Sequence, residues 1–381
     1  MRGQARSEDS PMRTRTAFVL LTILLMVSCS TTPRTTMATP SSRVYHGTAS
    51  VGDFMTITIN SAAGTIAYTD VSNGDSGTVP FIVNSDGTYT LSDPNGNLVA
   101  AYEVPNYAMV IQSAKTGPSL NTPALITAVE SGPISIATFG GKSYNYMQFR
   151  TSSGGLEVGS VTITTQGLGS NSSFWPFGAY NQGNQSGSPF NSGTIDLTQA
   201  KADPSGTFLT VTEQGSGVDY IFGTENGVFA VDSPNGAILG LKKAASKDFD
   251  PSFAGTYKAI YYQKTGASTG MNNVETGTAS LGNSTLVVTA GGQVTVSDPQ
   301  GNTIVQATLT PVADAPYLYG SAGELQDPCY GLFTFRVTTA GIQQDVFVAF
   351  MDKSMLFASF SASLASGQMG TYDYLYGVAL K

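Results

Sequence analysis

The chain has 381 residues, enough for two or three domains that each bury a core. Only 12% of them are charged, with 26 acidic against 18 basic side chains and a net charge of −8, which leaves no basic surface for nucleic acid. Gly, Thr, Ser, Asn, Tyr and Phe dominate instead, a composition suited to strands joined by tight turns and not to helices, whose exposed faces want Glu, Lys and Arg.

Arg2, Arg6, Arg13 and Arg15 precede AFVLLTILLMV at 17–27, an apolar run too short to span a bilayer comfortably. Residues 1–28 therefore read as a cleaved signal peptide. MVSC at 26–29 resembles the lipobox of bacterial lipoproteins, with Met26 where Leu is usual and Leu25 just upstream. The resemblance covers residues 1–29 only. It implies that Cys29 is lipidated and attaches the protein to a membrane. Ser30, in the second mature position, resembles the sorting choice that sends such proteins to the outer membrane, where Asp would retain them at the inner one. Loss of the leader leaves 14 basic and 24 acidic side chains, a net charge of about −10. Residues 29–43 are rich in Ser, Thr and Pro and read as a solvated tether. Cys329, the second cysteine, has no disulfide partner in this arrangement and is expected to be a buried small hydrophobe.

A first β domain is expected over 44–250. It opens near His46, the only histidine, which three residues past the tether should be solvated. DGTYTLSDPNGNLVA at Asp86 follows, matched without gaps by NGVFAVDSPNGAILG at Asn226 and GGQVTVSDPQGNTIV at Gly291. Each reads as a hairpin. Asp93, Ser233 and Asp298 accept a local backbone bond; Pro94, Pro234 and Pro299 fix φ; Gly96, Gly236 and Gly301 supply φ > 0, giving a type I turn closed by a glycine bulge. The implied register sets Leu91 opposite Val99, Val231 opposite Leu239 and Val296 opposite Ile304.

TPALITAVES from Thr122 reads equally as a short helix with Pro123 in its first position or as a strand. GLGSNSSFWPFGAYNQGNQSGSPFNSG at 167–193 carries no charge and holds the only Trp. Its aromatics Phe174, Trp175, Phe177 and Tyr180 either fold inward and plug a barrel end or face a glycan or an envelope protein. With strand aromatics such as Tyr144, Tyr146, Tyr261 and Tyr262 they could line a pocket. KKAASKDFDPSF at 242–253 is the most charged stretch of the mature chain and marks a boundary before a second β domain at 251–381.

The expected architecture is antiparallel β-barrel or β-sandwich units with internally repeated hairpins, in two domains. The alternative is a β-propeller, since GVFAVDSPNGAILG resembles one blade segment of quinoprotein-type propellers; the irregular spacing of the hairpins argues against equal blades. Catalytic constellations are sparse. No GxSxG elbow accompanies His46, one His and one thiol cannot build a zinc site, and no phosphate-binding glycine signature implies a cofactor. The Asp before each Pro reads as a turn residue and not as a calcium ligand, because the second copy moves it to Asp232. A glycosidase-like acid pair could only be assembled in space, from Glu130, Glu157, Glu213, Asp219 or Glu225. The sequence thus points to a lipid-anchored, non-enzymatic binding or structural module, with a carbohydrate or small-molecule binder as the second reading.

Overall fold

The computed structural model describes residues 42–92, 98–116, 122–150, 155–176, 196–213, 217–234, 236–267, 277–318, 327–339, 342–361 and 372–381. Cys29, Phe177 and Tyr180 lie outside them. Residues 40–381 form one compact unit, and its described part is all-β: a closed barrel and two large antiparallel sheets.

The barrel runs in chain order through β1 (Ser42–Ala49), β2 (Phe54–Asn60), β3 (Thr65–Asp70), β4 (Ser76–Val83), β5 (Tyr89–Ser92), β6 (Leu98–Val104), β7 (Ala108–Thr116) and β8 (Thr122–Glu130). It closes because β1 pairs with both β2 and β8. TPALITAVES is thus a strand. Eight strands enclose a lumen that side chains can fill, and alternate residues fill it, including Ile57 and Ile59 of β2, Met109 and Ile111 of β7, and Ile126 of β8. The fit is close: a Cβ added at Gly47 would lie 3.1 Å from Ala128 Cβ.

The second sheet comprises β9 (Lys142–Arg150), β10 (Gly155–Ile163), β11 (Gly169–Pro176), β12 (Lys201–Ala202), β13 (Leu209–Glu213), β14 (Gly217–Gly223), β15 (Val228–Ser233) and β16 (Gly236–Lys242). Its order is β11-β10-β9-β16-β15-β14-β13-β12. A single helical turn, α1 (Ile136–Phe139), connects the barrel to it. The third sheet comprises β17 (Gly255–Ala267), β18 (Thr278–Val288), β19 (Gln293–Ser297), β20 (Thr303–Thr308), β21 (Thr310–Pro311), β22 (Leu332–Thr339), β23 (Ile342–Met351), β24 (Ser354–Ser361) and β25 (Tyr372–Leu380), in the order β20-β19-β18-β17-β25-β24-β23-β22-β21. Val294 of β19 and Phe333 of β22, from opposite halves of that order, share one core, so this sheet coils around its own interior. Residues 242–253 fall between the second and third sheets. One apolar cluster joins all three, with Phe54, Val110 and Val129 from the barrel exterior, Tyr144 and Phe149 from β9, and Tyr262 and Tyr376 from the third sheet. Phe149 stacks on Tyr376 at 3.7 Å between ring centroids.

The three repeated hairpins are real, but only the first keeps the expected register, with Leu91 opposite Val99. In the second, Ser233 pairs with Gly236 across a two-residue loop, which sets Val231 opposite Ile238 in place of Leu239. In the third, the turn has the expected chemistry: Gly301 has φ +86° and donates to the Asp298 carbonyl at 3.0 Å. A bulge between Val296 and Ser297 then moves Val296 onto Val305 in place of Ile304.

The second copy differs because its turn is buried against the barrel. A Cβ at Gly52, in the β1–β2 turn, would lie 2.3 Å from the Ser233 carbonyl oxygen. Asp232, 1% exposed, accepts a 2.5 Å hydrogen bond from Thr48 of β1. Burial, and then the nearby Asp53, Asp219 and Asp70, push its pKa well above the usual carboxylate value against the opposing pull of Thr48. Asp298, by contrast, is solvent-facing and lowered by its bonds from Asn302.

One end of the barrel lumen is polar. Arg43, the last residue of the stretch expected to be a solvated tether, is instead buried inside β1, where it donates to Glu103 through Nε at 2.7 Å and Nη2 at 2.8 Å. Tyr45 and Tyr89 donate to the same carboxylate at 2.5 and 2.7 Å. Burial alone would raise the Glu103 pKa, but these bonds together hold it below the ordinary value. Removing one partner strands the other. Glu103→Ala should cost about 3–5 kcal/mol in denaturant unfolding, whereas the paired Arg43→Met, Glu103→Leu replacement should lose much less.

Candidate functional site

An open cleft of about 690 Å³ lies beside β1 where the barrel meets the turn between β12 and β13. Ligand pockets commonly have this volume. Three short stretches build it: Ser42, Val44 and His46 from the outward face of β1, Glu130 and Ser131 from the end of β8, and Asp203, Ser205 and Thr207 before β13. Asn106 lines it from the β6–β7 turn, at φ +57°, a left-handed conformation Asn tolerates better than most residues.

His46 forms the floor. It was expected to be solvated, but it is only 4% exposed. Alternation explains this: Tyr45 points into the lumen, so His46 points outward, and the second sheet covers that side. Its ring lies 5.3 Å from Phe208 and 5.5 Å from Phe54, and Phe54 stacks on Tyr220 at 4.5 Å. Its Nε2 is 2.8 Å from Thr207 Oγ1 and 3.0 Å from Ser131 Oγ, while Nδ1 is 3.4 Å from Thr56 Oγ1. Desolvation pulls its pKa down to about 4, against a smaller upward effect of Asp203. The ring is therefore a neutral donor and acceptor tying barrel to sheet through hydroxyls. No carboxylate bonds to Nδ1, the arrangement that would orient and strengthen a general base.

The charges of the cleft are acidic. Asp203 Oδ2 accepts from Ser205 N at 2.8 Å and Ser205 Oγ at 2.5 Å. Among the described residues, neither Asp203 Oδ1 nor the exposed Glu130 carboxylate has a bonded protein partner. Arg43 reaches the cleft wall, but its guanidinium is committed to Glu103.

Of the sequence-predicted aromatics, Phe177 and Tyr180 lie outside the described residues. The first part of the expected loop is a strand, β11, in which Phe174 pairs with Gly159 and Trp175 with Val158. Tyr144, Tyr146 and Tyr262 are buried core residues, and Tyr261 packs partly buried against the core of the third sheet. Of the acids considered as a pair whose side chains are described, Glu157 is buried on Tyr146, Asp219 is buried near Asp232, Glu225 is exposed and Glu130 lines the cleft. Cys329 is buried, as expected, and has φ +48°. Among the described residues no group of His, Cys, Asp and Glu could hold a metal ion, and no helix is long and apolar enough to cross a membrane.

The fold and site thus define an all-β protein in which a barrel and a sheet enclose a polar, acidic cleft. No family model matches the chain, and no curated protein does. Among solved structures it is similar to a mutant of the vaccine antigen transferrin binding protein B from Haemophilus parasuis, at 10% identity and a TM-score of 0.28 over 86% of this chain and 66% of that one. It is also similar to intact Ap-TbpB, with N and C lobes, at 11% and 0.27 over the same shares. The chain spans just under two thirds of those proteins. A DNA polymerase III β chain from Streptococcus pneumoniae overlaps at 11% and 0.14, over 88% of this chain and 90% of that one. Likenesses this slight carry no argument, and the fold rests on the strand pairings themselves.

The low basicity of His46 has a definite consequence. The folded state binds fewer protons than the unfolded chain between about 4 and 6.5, so its contribution to stability is complete above pH 6.5 and falls as pH drops toward 4. The shift corresponds to about 3 kcal/mol. In chemical denaturation at neutral and acid pH, the wild type should lose about that much more stability than His46→Gln; equal losses would contradict the assignment.

Proposed function

We propose that the protein is a non-enzymatic binding module of the cell envelope, anchored through lipid on Cys29 and sorted to the outer membrane, with the His46 cleft as its ligand site. The observation that carries the reading is the cleft itself: hydroxyls of Ser131, Ser205 and Thr207 surround a neutral imidazole above Phe208. Such an array can both donate to and accept from a hydroxyl-bearing ligand, while an aromatic flank suits the C–H face of a sugar. A glycan of the envelope is the ligand this chemistry fits. No cofactor or nucleic acid enters the reading. The Ser131–His46 contact supports hydrogen bonding better than hydrolysis, because the ring is a weak base without a carboxylate behind it.

Anchor and ligand are tested separately. Cells fed a fatty-acid analogue should label the wild-type protein and not Cys29→Ser, which should move from the membrane to the soluble fraction; continued membrane partition would remove the lipid anchor. On an array of envelope glycans, the detergent-purified full chain should be retained. Val44→Trp, at an exposed residue of the cleft wall, should crowd the cleft and weaken retention about tenfold or more with little change in melting temperature. Undiminished retention would move the ligand away from the cleft.

A further inference from the structure

We infer that the cleft takes a sugar bearing a free ammonium group, an amino sugar and not its neutral or N-acetylated counterpart. The inference rests on the cleft being a glycan site, and it follows from the charge balance of the wall. Two carboxylates face the space, from chain stretches far apart in sequence: Glu130 where β8 ends, and Asp203 before β13. Neither is neutralised. Asp203 spends Oδ2 on Ser205, at 2.5 and 2.8 Å, which leaves Oδ1 open. Glu130 is exposed and has no bonded side-chain partner among the described residues.

The cation that could have balanced them is turned away. Among the described residues of the lining, Arg43 is the only basic side chain besides His46, and both its bonds to Glu103 run into the barrel lumen. The remaining nitrogen base, His46, is held neutral by burial and bonds to the hydroxyls of Thr207 and Ser131. The wall therefore combines uncompensated negative charge with neutral donors and acceptors on one side of Phe208. An anionic ligand would meet two carboxylates; a neutral sugar would leave them unused. An aminated sugar places its ammonium at the carboxylates and its hydroxyls on Ser131 and Thr207. The net charge of −8 draws such a cation toward the protein from a distance.

The test compares two probes with the same ring. Titration calorimetry of the full chain in detergent at mildly acid pH should give about tenfold or tighter binding of a glucosamine tetramer relative to the N-acetylglucosamine tetramer. Raising salt from about 0.05 M to about 0.5 M should weaken the first and hardly change the second. In Glu130→Gln, Asp203→Asn the preference should vanish with the melting temperature unchanged, since both side chains sit at the surface of the cleft. Equal binding of the two tetramers, or a preference that survives in the double variant, would overturn the ammonium inference while leaving a glycan in the cleft. Binding of neither tetramer would overturn the inference, and failure of the glycan array as well would take the glycan reading with it.

Discussion

From Tyr45 to Ala49 both faces of β1 are buried, and much of the molecule follows from that. A barrel strand ordinarily turns one side inward and the other to water. Here the inward side carries Arg43 and Tyr45 to Glu103, and the outward side carries His46 and Thr48, 4% and 1% exposed. The barrel is thus not a finished surface along this strand. Phe54 on the neighbouring strand adds an apolar ring that must also be covered, so the second sheet is a structural necessity for the first. Covering a polar face brings its own demand, because each buried hydroxyl, imidazole and carboxylate needs a partner. Thr48 finds Asp232, and His46 finds Thr207 and Ser131.

The repeated hairpin shows one local device serving two environments. Pro and Gly recur in all three copies of the motif, while the residue beside them answers to the surroundings. At Asp298 the carboxylate caps its own loop in water, bonding to Asn302. In the second copy the carboxylate stands one place earlier, on the strand, and the loop tightens to two residues that fit under Gly52. The exchange of Asp and Ser is therefore the mark of a docked turn. A solvated loop gains from an Asx-type bond; a docked one gains from a side chain that reaches across to Thr48.

This distinction also separates what the sequence revealed from what it hid. Strand content, hairpin positions and the Leu91–Val99 register were legible because they depend on neighbours a few residues apart. The bulge beyond Val296 and the tight second loop were not, since each reflects packing by remote segments. His46 is the clearest case. Its local setting, polar and next to a Ser- and Thr-rich stretch, reads as solvated, yet its covering residue Thr207 lies 161 positions away. One signal was available: RVYHGTAS alternates Arg and Tyr with Val and His on opposite faces, and neither face is clearly polar, the pattern of a strand buried on both sides. The cleft had no motif at all, because single residues and short stretches remote in sequence build it. The aromatic segment drew attention by composition, which reports residue types and not where a sheet places them.

Because His46 is at once part of the joint and the floor of the cleft, the two roles constrain each other. Its neutrality keeps barrel and sheet together, since an imidazolium in that position would lose hydration that three hydroxyls and a ring of phenylalanines replace only partly. An ammonium ligand at Asp203 would remove the one nearby charge that favours protonation, Asp203 being the group that raises the His46 pKa. Bound cation and imidazolium would therefore compete for the same carboxylate, and by linkage each disfavours the other to the same extent. A cleft built over a neutral histidine thus holds a cation best under the conditions in which the joint beneath it is also most stable.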